Sequence, residues 1–279
     1  MTYKTILTHL DGAPSLTSRV TLAANLAKRQ SAHLFGVAPA GIAMVPGDAS
    51  MSIAPDLITA LQGQLDDVAN AAVEQFEQIC QQVGVDSVES MALGNYATDI
   101  ILRYARYSDL LVISQAEFDK KAAATHRGFV EQVVMGAGKP VIIVPSLGKH
   151  DDAGKRVLLA WDGSREAARA ATDALPILAS ADTVEVLVIN ANASADAVHG
   201  LNPGTDIGHY LARQGVKVEV RNLQSDIDIG DTLLSHAADL GADLLVMGAY
   251  GHSRVREWAM GGATRTVLNS MTVPVLMSH

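Results

Sequence analysis

The feature that most restricts what this chain can fold into is an internal repeat. Lys4-Thr5-Ile6-Leu7-Thr8-His9-Leu10-Asp11-Gly12 is echoed by Arg156-Val157-Leu158-Leu159-Ala160-Trp161-Asp162-Gly163, and Asp11 and Asp162 lie 151 positions apart. Asp109-Leu110-Leu111-Val112 is echoed by Asp243-Leu244-Leu245-Val246 at a spacing of 134, which Pro140-Val141 and Pro274-Val275 keep. The first copy therefore carries 17 extra residues upstream of the shared final third. They fit between Pro39 and Asp56, where Gly41, Pro46, Gly47 and small residues have loop composition. The expected domains are 1–148 and 155–279, joined by the short polar run 149–154.

Each unit reads as strands alternating with helices. In the second copy the strands fall near 156–161, 184–190, 216–222, 243–247 and 273–277, and the helices near 164–178, 205–214, 230–240 and 261–270. Short apolar strands alternating with helices imply parallel pairing with helices on both faces. The expected fold is α/β: two tandem copies of an open, mostly parallel five-stranded sheet, Rossmann-like in arrangement. The first copy has a long helix marked by Leu57, Leu61, Leu65, Val68, Ala72, Phe76 and Ile79 at steps of three and four, ending at Gly84. Aromatic residues are only 4%, so the core must come from Val, Ile, Leu and Ala.

Bulk properties exclude several functions. A formal net charge of −9, shared by both halves, argues against a nucleic-acid or anionic-membrane surface. The sole cysteine, Cys80, rules out an intrachain disulfide and a multi-cysteine zinc site, and reads as a buried structural thiol. No apolar run approaches the roughly 20 residues needed to span a bilayer, and the N-terminus lacks the pattern of a signal peptide. A cytoplasmic setting is the expectation.

In an open parallel sheet, ligands bind beyond the carboxyl ends of the strands. Three places in the second unit converge there: Asp162-Gly163-Ser164, the strand end around Val188, and the turn after Met247. Asp162 is placed to accept a hydrogen bond from a sugar hydroxyl or to face a cation, and Ser164 to cap a helix; plain helix-entry chemistry would use the same letters. The turn reads Gly248-Ala249-Tyr250-Gly251, nine residues, then Gly261-Gly262-Ala263-Thr264. Glycines between a strand end and a helix start suit an anion, because free N–H groups and the helix dipole point at it. His252, Ser253, Arg254, Arg256 and Arg265 add a local basic excess, although a flexible loop with ordinary glycines would also fit.

The first copy offers an internal control. At the spacing of 134, Gly248 corresponds to Ser114, Gly251 to Glu117, Gly261 to Arg127 and Gly262 to Gly128. Three of four glycines are replaced while the surrounding pattern survives. On this reading the glycines are not needed to build the fold, and the first unit does not bind a nucleotide in this way.

These residues resemble the universal stress protein family in its tandem form, over nearly the whole chain. Its ATP-binding members carry Gly-x2-Gly-x9-Gly-(Ser/Thr), which Gly248, Gly251 and Gly261 match in spacing, and Thr272 to Leu276 is similar to the family's last strand. The resemblance implies an adenine-nucleotide α-hydrolase-like fold binding ATP, with or without Mg²⁺, in the second unit alone. Asp162 would lie near the ribose and the metal–phosphate region, with Gly163 and Ser164 beside it. Val188 would contact the adenine through its backbone. Met247, Gly248, Gly251 and His252, with Gly261, Gly262, Ala263 and Thr264, would hold the ribose and phosphates. One position departs from the pattern: Gly262 stands where the family has Ser or Thr. The lost hydrogen bond is worth on the order of 1 kcal/mol, which weakens binding rather than abolishing it.

The resulting expectation is a cytoplasmic sensor of an adenine nucleotide in stress response, with neither catalytic nor metal-ligating residues. No Gly-x-Ser-x-Gly, His-Glu-x-x-His or Gly-x4-Gly-Lys-(Ser/Thr) motif occurs. The alternatives are a nucleotide-free scaffold and, less favoured, a nucleotide-hydrolysing or nucleotidyl-transfer enzyme. In the family single units pair through their last strands, so Val141 to Val144 would pair with Val273 to Met277 within the chain. A homodimer of whole chains is compatible with the sequence.

Overall fold

The computed structural model describes residues 2–41, 55–94, 96–115, 128–190, 204–251 and 262–279. The first half runs β1 (Thr5–His9), α1 (Leu16–Gln30), β2 (His33–Pro39), α2 (Pro55–Val83), β3 (Val88–Leu93), α3 (Ala97–Ala105), β4 (Leu110–Ser114), α4 (Phe129–Gly136) and β5 (Val141–Val144). The second runs β6 (Arg156–Ala160), α5 (Arg165–Asp173), α6 (Leu175–Leu178), β7 (Thr183–Ile189), α7 (Thr205–Arg213), β8 (Val218–Leu223), α8 (Ile229–Leu240), β9 (Leu244–Gly248), α9 (Gly262–Ser270) and β10 (Val275–Ser278).

All ten strands share one sheet in the order β3-β2-β1-β4-β5-β10-β9-β6-β7-β8. The second half repeats the strand order of the first, turned end for end about the middle. Every neighbouring pair is parallel except β5 with β10, which run antiparallel with Val275 opposite Ile143 and Met277 opposite Val141. The sheet therefore passes through both halves without an internal edge, and its free ladders are left at β3 and β8.

The repeated Asp-Leu-Leu-Val has a structural cause. The Asp109 carboxylate accepts hydrogen bonds from the backbone of Lys4 and Thr5 at 2.7 and 3.0 Å, and Asp243 accepts from Gly154 and Arg156 at 2.9 and 3.0 Å. Each aspartate, standing just before one strand, satisfies the otherwise open N–H groups at the start of its neighbour. The leucines and valines that follow are buried on both faces, against α1, α2, α5, α6 and α7 on one side and α3, α4, α8 and α9 on the other.

One expectation changes. The single helix foreseen over 164–178 breaks into α5 and α6, because Pro176 has no N–H to continue the ladder. The run 149–154 that joins the halves is held against α1. Ser18 and Asn25 of α1 bond the backbone of His150 and Asp151 at 2.7 Å, Arg29 pairs with Asp152, and Ala153 is buried. Cys80 lies inside, where burial and then the nearby Glu77 push its thiol up to about 12. Among the described residues no helix is long and apolar enough to cross a membrane.

Candidate functional site

At the carboxyl ends of β6, β7 and β9 a cavity of about 430 Å³ opens. One wall is apolar: Ala160, Leu187, Ile189, Ile229, Leu233 and Met247, with Trp161 at the rim. Strand alternation decides which β7 residues take part. Leu187 and Ile189 face the cavity, whereas the Val188 side chain is buried in the core on the opposite face. Ile229 and Leu233 are one turn apart on α8 and present one side to the same space.

The other end is polar and is built from helix starts. Gly163 adopts φ +75°, which turns the chain from β6 into α5. Asp162 accepts a hydrogen bond from the Ser164 amide at 2.9 Å, and the Ser164 hydroxyl accepts one from Ala167 at 3.1 Å, capping α5. Asp162, Ser164, Gly248, Gly251, Gly262, Ala263 and Thr264 line this end together, as does Met247 on the wall. Gly163 and Val188 are adjacent to the cavity in sequence but do not line it. His252 and Gly261, with Ser253, Arg254 and Arg256, lie outside the described residues. Arg265 is exposed on α9 and is not part of the lining.

The glycines have separate reasons. A Cβ on Gly248 would stand 2.6 Å from the Ala167 nitrogen and the Glu166 carbonyl carbon, so the start of α5 crosses directly over this residue. This corrects the inference drawn from the first copy. There α1 begins at Leu16, two residues later in the repeat than α5 at Arg165, and Ser114 is accepted. Gly248 is thus demanded by packing, with no ligand required to explain it. A Cβ on Gly251 would lie 3.1 Å from a Glu166 carboxylate oxygen, and one on Gly262 would find only Asp228 Oδ2, at 3.7 Å. Nothing steric forces glycine at Gly262.

Of the basic residues expected at the polar end, His252, Arg254 and Arg256 lie outside the described residues. The described residues bring three carboxylates to it. Asp162 is exposed; buried Glu166 pairs with Arg165 at 2.8 Å; Asp228 caps α8 through Gly230 at 2.8 Å and turns its second oxygen toward Gly262. Thr264 is buried, and its hydroxyl accepts a long 3.4 Å bond from the Tyr250 amide, leaving its proton to donate. Tyr250 itself takes φ 59°, and burial followed by Glu131 of α4 holds its phenol well above the ordinary range. Among the described residues, no group of three or more His, Cys, Asp or Glu is arranged to hold a metal ion.

The equivalent region of the first half is filled. By the repeat spacings His9 corresponds to Ala160 and Phe129 to Ala263, and the two rings pack with centroids 5.0 Å apart. Val68 of α2 sits against Gly12, 2.8 Å from where a Cβ would be. Asp11 pairs with fully buried Arg19 at 2.6 Å. Burial alone would raise the Asp11 carboxyl, but Arg19 and His9 beside it bring it down to about 2. Two rings thus occupy positions where the second half has alanines.

Sequence reasoning missed Trp161, Glu166, Leu187, Ile189, Asp228, Ile229 and Leu233. The alternation of β7 around Val188 carries a signal for Leu187 and Ile189. Asp228 and Ile229 come from a helix start distant in sequence and carry none.

Residues 154–279 match the Universal stress protein family. A universal stress protein of Synechocystis sp. is 28% identical over 203 residues, which covers 70% of this chain and 67% of the relative. A universal stress protein from Archaeoglobus fulgidus superposes with a TM-score of 0.71 at 16% identity, covering 98% of this chain and 95% of its own. A functionally unknown protein from Pseudomonas aeruginosa PAO1 reaches 0.61 at 14% identity, covering 99% and 92%. At these identities the two structural likenesses concern the fold alone.

Proposed function

We propose that the second half, whose residues 154–279 match the universal stress protein family, binds ATP or a related adenine nucleotide and acts as a regulatory sensor in stress response. One observation carries the reading. The cavity has an apolar slot between β7 and α8 of a size for a flat base, and it leads to a polar end formed by the starts of α5 and α9. Leu187, Ile189, Ile229 and Leu233 hold the base. The backbone around Gly251, Gly262 and Ala263, with the Thr264 hydroxyl, holds the phosphates. Because Asp162, Glu166 and Asp228 surround that end, a polyphosphate enters with its charge neutralised, and Mg²⁺ bound to the nucleotide serves this.

The first half takes no nucleotide in this manner, since His9 and Phe129 fill the corresponding space. The function proposed is binding without turnover: among the described residues the cavity lining carries no His or Lys, and its carboxylates Asp162 and Glu166 are engaged by the Ser164 amide and by Arg165. The two units act as one cytoplasmic body.

Trp161 at the rim gives a direct test. In a Trp258→Phe variant it is the sole indole. Saturable quenching by Mg·ATP but not Mg·GTP is the expected result. If no nucleotide changes the emission and none co-purifies, the nucleotide-free scaffold takes its place. Steady release of phosphate over many turnovers would move the protein to the enzymes.

A further inference from the structure

The free ladder of β8 has a backbone and charge pattern that neither the cavity nor the repeat explains. The Val184 amide of β7 donates to the Lys217 carbonyl at 3.1 Å, and the Asn190 amide to the Leu223 carbonyl at 2.9 Å. Between these points the pairs run unbroken from Val184–Val218 to Ile189–Leu223. The odd-numbered residues of β8 therefore turn their backbone groups toward β7, and Val218, Val220 and Asn222 turn theirs outward. Among the described residues no strand lies beyond β8 to take them up. Residues 219 to 222 are all exposed.

Edges that avoid partners do so with proline, bulges, cover or charges of one sign. Val216 to Gln224 contains no proline or glycine, and its register with β7 has no bulge. Its charges differ in sign. Glu219 and Arg221 share one face of the strand; Arg221 reaches buried Glu185 at 3.5 Å, and Glu219 has no ion pair among the described residues. A second β8 laid antiparallel can bond only where outward-turned residues face one another, so its possible registers lie two residues apart. With Val220 opposite Val220, Val218 faces Asn222, and Glu219 faces Arg221 on both sides of the twofold axis. These charge pairs fall at the closely spaced, non-hydrogen-bonded positions, where cross-strand side chains interact most. Sliding two residues one way sets Glu219 against Glu219 and Arg221 against Lys217. Sliding the other way sets Arg221 against Arg221. The opposite edge has no such register, because the only charge in β3 is Glu89.

We infer that β8 is a dimer edge whose partner is the β8 of a second copy of this chain, joined antiparallel about a twofold axis at Val220. The outward N–H and C=O groups of Val218, Val220 and Asn222 are satisfied by those of the second copy, and Glu219 and Arg221 pair across the axis twice. The same kind of joint already exists inside the chain, where β5 and β10 run antiparallel between the two halves. The two Val220 side chains, each 38% exposed, meet at the axis. A Cβ on Gly204 or Gly208 would stand 2.6 or 2.9 Å from Val220, so α7 lies close against this face and holds the strand in place. The dimer goes beyond the nucleotide reading and does not depend on it.

The test is sedimentation equilibrium of the full chain without nucleotide. A reversible dimer of the 29.3 kDa chain is expected, loosening as salt rises. Asn222→Pro removes an outward N–H and leaves the β7 ladder intact, and should raise the dissociation constant about tenfold or more. Glu219→Arg and Arg221→Glu each set like charges opposite one another twice, and each alone should weaken the dimer to a similar degree. Mixed in equal amounts, these two variants should recover the native affinity as a heterodimer, because every pair again joins Arg to Glu. A loss of fold would not be repaired by mixing. Circular dichroism verifies that each variant is folded, and Asn222→Pro, which leaves the charges at Glu185 untouched, decides the question apart from the charge variants. A native chain still monomeric at about 0.5 mM, a dimer indifferent to Asn222→Pro, or folded charge variants that stay apart when mixed overturns the inference. So does open-ended growth, which would seat β8 on the β3 edge of the next chain.

Discussion

At the scale of single residues, the two glycines that look most alike in the sequence do different things. Gly248 lies under the backbone of α5, so Gly248→Ala should cost about 1–3 kcal/mol of stability by overpacking, read as a lower midpoint in urea. Gly262 has room for a side chain beside Asp228. Gly262→Ser should leave the midpoint in place and tighten nucleotide binding about fivefold, roughly 1 kcal/mol, measured by calorimetry. In the first half, the Asp11–Arg19 pair sets an acid limit. The Asp11 carboxyl titrates at about 2 when folded, against about 3.9 when unfolded. Its contribution is therefore full above pH of about 4 and lost as the pH falls toward 2. Asp11→Asn leaves Arg19 buried with its Nε and Nη1 already lacking partners. It should cost about 3–5 kcal/mol at neutral pH and flatten the acid limb of a stability–pH curve.

At the scale of elements, the sequence is legible where one physical constraint writes one pattern. Strands buried on both faces must be continuous apolar runs, so Leu244 to Met247 and Val275 to Met277 could be read directly. The helix pattern of α2 was equally plain, because Leu65, Ala72, Phe76 and Ile79 recur at helical steps. What could not be read was contact between elements. The crossing of α5 over Gly248 depends on where that helix starts, and a shift of two residues relative to α1 changes which residue must be glycine. Asp228 and Ile229 reach the cavity only because α8 packs beside α9. Ser164 belongs to the legible class: a serine ahead of a helix start is a cap, and Ser164→Ala should cost about 1 kcal/mol with a correspondingly lower thermal midpoint.

At the scale of the whole molecule, one ten-stranded sheet carries two versions of the same site, and they differ in how they are filled. The first is closed by the His9–Phe129 pair; the second is open because Ala160 and Ala263 stand in those places. Both sit in the same fold, so the filling of the site and not the fold itself decides binding. The difference can be transplanted. Ala263→Phe places the first half's ring in the second half's cavity at a position only partly buried, where the fold should tolerate it. The decisive measurement is a calorimetric titration of Mg·ATP into the native chain and into Ala263→Phe, with thermal unfolding of both. One nucleotide per native chain, none for Ala263→Phe, and similar unfolding temperatures are expected. Two nucleotides per native chain, none at all, or undiminished binding by Ala263→Phe would contradict a closed first site and an open second one.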